Sequence, residues 1–282
     1  MNTSNVTVAQ RRRLRFSYSL RSLWILVTVF AIGMAWVVRE QMQSRHETQL
    51  AMRLEESTPG LSVTYAGLYD DSTISNGQQV WWRRALNWVR GPRAADAGFY
   101  GPDVEYGSFS DLSEFAEFTS LRSLSVQDTR VQDLTPISGL TNLQCISFHN
   151  SQVRDLTPVA GLRNLVEIQA GGCPVDDVTP LAGLTKLKVL GLSDTSIVDV
   201  TPLGNLPSLE DLWIRRTPVR DVSPLVELPN LRRLGFSSTL VSDLSPLFKS
   251  QGLRQVDFDD LSVSQEQVDE FQRALPKCRI IH

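Results

Sequence analysis

The chain rewrites itself every 22 residues, and that period leaves few folds open to it. In one register Leu121, Leu143, Leu165, Leu187, Leu209, Leu231 and Leu253 recur. Beside them run Leu124, Ile146, Ile168, Leu190, Leu212, Leu234 and Val256, and then Val126, Phe148, Ala170, Leu192, Ile214, Phe236 and Phe258. The other half of each unit carries DLTP at Asp133 and Asp155, DVTP at Asp177 and Asp199, DVSP at Asp221 and DLSP at Asp243. No insertion interrupts the register. A unit this short cannot bury its own apolar edge, so the units stand only as a stack.

The residue types predict what each unit becomes. Leu124, Val126 and their equivalents alternate with small or polar residues, the pattern of a strand with one face buried. Stacked units then pair these strands into a parallel sheet. Thr135 can cap a short helix whose first position is Pro136, where the missing N–H costs nothing. Pro136 to Leu140 is too short for an α-helix, so a 3₁₀ turn is expected on the convex side. Thr129, Ser151, Cys173, Thr195, Thr217 and Thr239 form an inward column that satisfies backbone groups in the bend after each strand. The fold class is therefore an α/β solenoid, a right-handed superhelix with its parallel sheet on the concave face.

An L-x-x-L-x-L core at this period marks a leucine-rich repeat. The whole unit resembles the internalin-type repeats of bacterial surface proteins, which read L-x-x-L-x-L-x-x-T-x-V-x-D-L-T-P-L. The resemblance covers about half of the chain. It implies binding or scaffolding through the concave sheet and names no partner.

Residues 1–38 hold Arg11, Arg12, Arg13, Arg15 and Arg21 and no acidic residue, followed by the uncharged run 23–38, LWILVTVFAIGMAWVV. With Leu20 and Arg21 the run reaches about 19 residues, enough to span a bilayer. Trp24 and Trp36 sit near its ends, where indoles favour the interface. The arginines then predict a cytoplasmic N-terminus and an exported repeat domain in the cell membrane. A cleaved signal peptide is the alternative, since Ala31, Gly33 and Ala35 offer small residues near its end.

The expected organisation is a basic tail over 1–19, a transmembrane signal anchor over 20–38, a helical, solvated stalk over 39–60, an N-terminal capping region over 61–98, repeats over 99–263 and a C-terminal cap over 264–282. Asn76-Gly77 marks a turn, and 81–90 reads as a helix whose Trp81 and Trp88 cover the open end of the stack. Subtracting one period puts Val104, Phe109, Leu112 and Phe118 in core columns, so a worn repeat is expected from Phe99 onward. At the far end Ser264-Gln-Glu-Gln267 has capping-box spacing, and Val268, Phe271, Ala274 and Leu275 form an apolar helix face. The ending ALPKCRI resembles the terminal cap of membrane-anchored bacterial leucine-rich-repeat proteins, which makes Cys278 a buried cap residue.

Several function classes are excluded by what the chain carries. A net charge of −3 is too small to suggest nucleic acid, and three distant cysteines suggest no disulfide framework. His46, His149 and His282 show no metal-ligand spacing, and there is no P-loop, G-x-S-x-G or G-x-G-x-x-G. No catalytic, cofactor or metal site is expected, and the chain is read as no enzyme. The aspartate column is better employed accepting backbone N–H bonds than as a calcium ladder, since Ca²⁺ asks for about six to eight oxygens.

Binding is expected on the concave face, where most side chains are small. The exception is Trp213 with Arg215, Arg216 and Arg233, the composition of an interface hot spot. Guanidinium groups around an indole suit a carboxylate-bearing partner, with Asp257, Asp259 and Asp260 steering it by repulsion. The expected partner is an unknown protein or surface macromolecule. The rival is a structural envelope spacer without a specific partner.

Overall fold

The computed structural model describes residues 20–57, 61–66, 93–99 and 109–281, with side chains described over 28–54 and 109–281. Its elements are α1 (Leu20–Ser57), β1 (Leu61–Ala66), β2 (Arg93–Phe99), then seven three-residue strands: β3 (Ser123–Ser125), β4 (Cys145–Ser147), β5 (Glu167–Gln169), β6 (Val189–Gly191), β7 (Asp211–Trp213), β8 (Arg233–Gly235) and β9 (Gln255–Asp257). Helix α2 (Gln265–Ala274) and β10 (Arg279–Ile281) close the chain. The strands form one sheet in sequence order, parallel from β2 to β10, with β1 antiparallel to β2 at the edge.

Pairing follows the 22-residue register. Leu124, Ile146, Ile168, Leu190, Leu212, Leu234 and Val256 are direct lateral partners, and each is at most 1% exposed. Between strands the expected 3₁₀ turns form at Thr135–Ile137, Thr157–Val159, Thr179–Gly183, Thr201–Asn205, Ser223–Leu225 and Ser245–Lys249. Each drops one aliphatic residue, such as Ile137 or Leu181, into the core.

The turns start differently from the expectation. Leu134 occupies the cap position and makes no side-chain bond, so Thr135 is not the capping residue. Instead Asp133 Oδ1 accepts from the Thr135 N–H at 2.7 Å, and Asp155, Asp177, Asp199, Asp221 and Asp243 repeat this bond at 2.8 to 2.9 Å. The reason is stereochemical: Pro136 has no N–H, so the donor that needs a partner lies one residue earlier, within reach of an Asx turn.

The inward column behaves as expected. Thr129, Thr195, Thr217 and Thr239 donate to the carbonyls of Val126, Leu192, Ile214 and Phe236 at 2.6 to 2.8 Å. At Ser151 the hydroxyl pairs with Cys173 Sγ at 3.3 Å instead, that sulfur lies 3.0 Å from the Phe148 carbonyl, and burial pushes its thiol pKa up. A second column was legible but unread. Asp128, Asn150, Gly172, Asp194, Arg216, Ser238 and Asp260 all sit at positive φ, between 51° and 71°. Asp, Asn and Gly are the residues that tolerate this region; Arg216 and Ser238 are the departures.

The N-terminal end holds the largest corrections. The segment expected as a solvated stalk is the second half of one continuous helix, α1, and one of its faces is packed on the stack. Ser44, Glu47, Ala51 and Leu54 are buried there. Glu47 is fully buried, and its carboxylate accepts from Ser120 Oγ (2.5 Å), Ser120 N–H (3.4 Å), Thr119 Oγ1 (3.4 Å) and Gln43 Nε2 (3.1 Å). His46 reaches Glu117 at 2.5 Å. The amphipathic spacing of Ser44, Glu47, Ala51 and Leu54 made a buried face visible in principle, but a carboxylate in it argued for solvent.

The second half of the worn repeat keeps the 22-residue register: Leu112 and Phe118 are buried and Phe109 packs against them. Its strand does not, since Ala97, not residue 102, pairs with Leu124, an offset of 27 residues. The sheet therefore starts before Phe99. Val104, the Asn76-Gly77 turn, the helix expected over 81–90 and the tail 1–19 lie outside the described residues. Among the described residues no helix is long and apolar enough to cross a membrane. The first part of the expected span, residues 20–27, has its side chains outside the described residues.

The C-terminal cap forms as expected. Ser264 accepts from the Gln267 N–H at 3.3 Å, Phe271 and Leu275 are buried, and burial pushes the Cys278 thiol up to about 11.

Two predictions follow from this core. Leu190→Ala should cost about 2–5 kcal/mol through lost burial and a cavity, measured by urea denaturation; an effect no larger than that of exposed Asp199→Asn would place Leu190 outside the core. The second concerns acid. In Asp133, Asp155 and Asp199 the hydroxyl and then the amide of the residue two positions on hold the carboxyl below its usual range; in Asp243 the amide leads. A folded-state pKa below the unfolded one gives stability that is full above about pH 4 and fades as pH falls through the lowered values. Replacing all four by Asn, which still accepts the bond, should flatten the acid limb of the stability profile. An unchanged limb would assign acid sensitivity elsewhere.

Candidate binding face

The concave surface is set by alternation along the strands, which sends Leu212 and Ile214 inward and Trp213 outward. On β3 and β4 it is small and uncharged, with Ser123, Ser125, Cys145 and Ser147. Farther along, glycines open hollows that neighbours fill. A Cβ on Gly171 would lie 2.8 Å from His149 Nδ1, and one on Gly191 would lie 2.1 Å from Gln169 Oε1. A Cβ on Gly235 would lie 2.4 Å from Trp213 Cε3 and 3.0 Å from Arg215 Nε. Each large side chain thus leans across the next strand onto a glycine. Trp213 and Arg215 share one hollow, with the Arg215 Cζ 4.7 Å from the indole centroid.

The arginines are not the open cations that the sequence suggested. Arg233 grips both oxygens of Asp211 through Nε and a terminal nitrogen. Arg215 reaches across β8 to Asp257, whose other oxygen accepts from Ser237 Oγ. Arg216, on the bend at the edge of the sheet, pairs with Asp194 at 2.5 and 2.6 Å, and those bonds hold the Asp194 carboxyl below its usual range. The carboxylates of Asp211 and Asp257 are 7% and 10% exposed, while the guanidinium side chains of Arg233 and Arg215 above them are 52% and 36% exposed. Asp257 is therefore a member of the cluster and does not steer a partner by repulsion. The missed partners, Asp211 and Gly235, and the pairing role of Asp257 were legible from the register. Gly235 is the lateral neighbour of Trp213, and Asp211 that of Arg233.

The aspartate column on the convex side spends one oxygen per residue on backbone N–H groups. Among the described residues no group of three or more His, Cys, Asp or Glu could hold a metal ion.

Residues 119–161 and 185–227 match the family model for leucine-rich repeats in two copies. An internalin structure, InlF from Listeria monocytogenes, is 29% identical with a TM-score of 0.57, over 62% of this chain and 54% of its own. Internalin C2 from the same species is 25% identical with a TM-score of 0.61, over 68% of this chain and 85% of its own. The repeats here are of the internalin type. The chain spans about half of the InlF structure it matches. A plant peptide hormone receptor, RGFR1 in complex with RGF2, shares the fold at 18% identity and a TM-score of 0.50, over 60% of this chain and 29% of that one. No curated protein matches the sequence.

The hollow makes a direct prediction for this internalin-type face. Gly235→Val should move the Trp213 indole N–H resonance and open the ring to a quencher. The same change at Gly139, where a Cβ meets nothing within 4 Å, should do neither. An unmoved Trp213 signal in Gly235→Val would mean that the ring does not rest on that strand.

Proposed function

We propose that this protein is a membrane-anchored binding protein, not an enzyme, which presents the concave face of its repeats to another protein outside the cytoplasmic membrane. The observation that carries the binding half is the cluster on β7 and β8. On a concave face otherwise made largely of small residues, Trp213 is held half-buried by Gly235 and bracketed by two guanidinium groups on buried carboxylates. Aromatic and arginine anchors in a rigid setting are what interfaces concentrate their energy in. The solved relatives support the same reading at the level of fold, since internalins and a peptide hormone receptor share it.

Anchoring rests on the sequence around α1 and on what that helix leaves uncovered. Val29, Phe30, Ile32, Met34 and Val38 are 47 to 70% exposed, on all sides of the helix. A helix that is apolar all round belongs in a nonpolar medium. Arginine without acidic residues before it favours an N-terminus in the cytoplasm and repeats outside. Because α1 runs unbroken into its buried contact with Thr119 and Ser120, the repeats would stand at a fixed angle to the bilayer.

The experiment uses the full chain in intact cells. A photo-crosslinking residue at Ser193, beside Trp213 on the concave face, should give a discrete protein adduct that Trp213→Ala removes. The same probe at exposed Val198 should give none. Equal labelling at both positions would favour a spacer with no specific partner. A cytoplasm-dependent reporter fused after His282 should stay silent; strong signal would overturn the orientation.

A further inference from the structure

The chemistry of the Trp213 cluster says more about its partner than that it is a protein. We infer that this patch takes a single carboxylate side chain displayed on an extended protein segment, an inference that rests on the concave-face reading above. Every acceptor in the cluster is already engaged. Both oxygens of Asp211 belong to Arg233, and the two of Asp257 belong to Arg215 and Ser237. With those oxygens nearly buried, what the exposed guanidiniums offer a partner is their unused N–H groups, which donate and cannot accept. Arg215 Nε has no acceptor and is shut in against β8, so it is the terminal N–H groups of Arg215 and Arg233, on side chains 36% and 52% exposed, that a partner oxygen can reach.

The buried carboxylates also do something that free arginines could not. They fix each guanidinium from behind, so a partner oxygen meets a fork that is already oriented, and little rotamer freedom is lost on binding. The local charge of the two pairs sums to zero, so attraction is short-ranged and depends on fit. The backbone supplies an independent sign that the sequence is specialised here. Arg216 and Ser238 are the two residues in the positive-φ column that are neither Asp, Asn nor Gly, and they stand on the bends that follow β7 and β8. Conformational cost of that kind collects at functional sites.

The surroundings set the size of the ligand. Glu167 lies two strands before Trp213 in the sheet order, and Asp259 follows β9 two strands after it. At about 4.8 Å per strand, the donor patch is roughly 10 Å from its centre to acidic side chains on either side. One carboxylate fits between them. A polyanion, such as nucleic acid or a sulfated polysaccharide, would run its next charges into Glu167 and Asp259.

The test titrates the isotope-labelled full chain in lipid nanodiscs, reading the Trp213 indole N–H, which Trp213→Phe identifies. The probes are a short extended peptide with one central glutamate, the same peptide with glutamine, and polyglutamate. A saturable shift is expected with the glutamate peptide, with about tenfold weaker binding for glutamine, the difference a charge-assisted bond makes. Arg215→Lys with Arg233→Lys keeps a cation over each buried aspartate and loses the fork; it should melt near the parent temperature and weaken the glutamate peptide several-fold. Equal binding of the two peptides would overturn the carboxylate assignment and leave the concave face standing. No shift with either peptide, while crosslinking at Ser193 persists, would place the partner's contacts away from this cluster and overturn the inference as well. Tightening in proportion to chain charge with polyglutamate would replace it by diffuse polyanion binding.

Discussion

Everything in this molecule depends on lateral pairing between strands only three residues long. Such a strand has no independent stability; it persists because the strand before and the strand after share its register, and because the residue between two outward side chains is buried in a common core. The register therefore has to be kept to the residue along the whole stack. Slipping one unit by a single position would turn Leu212 outward and Trp213 inward. That requirement explains why the 22-residue period has no gaps from Leu121 to Phe258. It also explains why the bends are so heavily bonded. The aspartate, the inward hydroxyl and the positive-φ residue each fix one point of the turn, so that successive strands arrive at the same height.

A stack of this kind has two ends, and the chain treats them unequally. At the C-terminal end a short amphipathic helix lays Phe271 and Leu275 over the last turn, and β10 adds a final parallel strand. Among the described residues of the N-terminal end, beside β1 and β2, a segment of α1 packs on the stack with Ala51, Leu54 and the partly buried Leu50, and with a fully buried Glu47 among them. A buried carboxylate is costly unless its oxygens are bonded. Here four donors meet it, three of them from Thr119 and Ser120 at the start of the first regular repeat. The contact is therefore specific in position more than strong.

These contrasts explain what could be read from the sequence. The core was legible because one physical signal, apolar periodicity, was repeated seven times in phase. The caps of the turns were half legible: the aspartate column was visible, but proline's missing N–H moves the donor to be satisfied back onto Thr135, and the cap with it. The N-terminal end was legible only in the half unit of Phe109, Leu112 and Phe118. Its strand β2 pairs with β3 at an offset of 27 residues, and no periodic extension from Leu124 could have placed it at Ala97. In the candidate site Trp213 and the arginines stood out by composition. Their partners did not, because those partners lie 22 or 42 residues away, at Asp211 and Asp257, and become neighbours only when the columns are laid side by side.

That last point bears on how any exposed charge on a solenoid should be understood. Lateral neighbours are separated by about 4.8 Å whatever their distance in sequence, so an arginine on one strand is in reach of carboxylates on the next strand and the one after. Whether it is a free cation or half of a pair depends on what fills the gap. Arg215 reaches Asp257 only because the strand between them carries Gly235, where a side chain would collide with both the indole and the guanidinium. The glycine therefore decides two properties at once. It lets Trp213 lie down into a rigid position, and it cancels a charge that would otherwise stand open. Removing it would leave the same residues on the surface with a different electrostatic character, which makes Gly235 as much a part of the candidate site as the residues that a partner would touch.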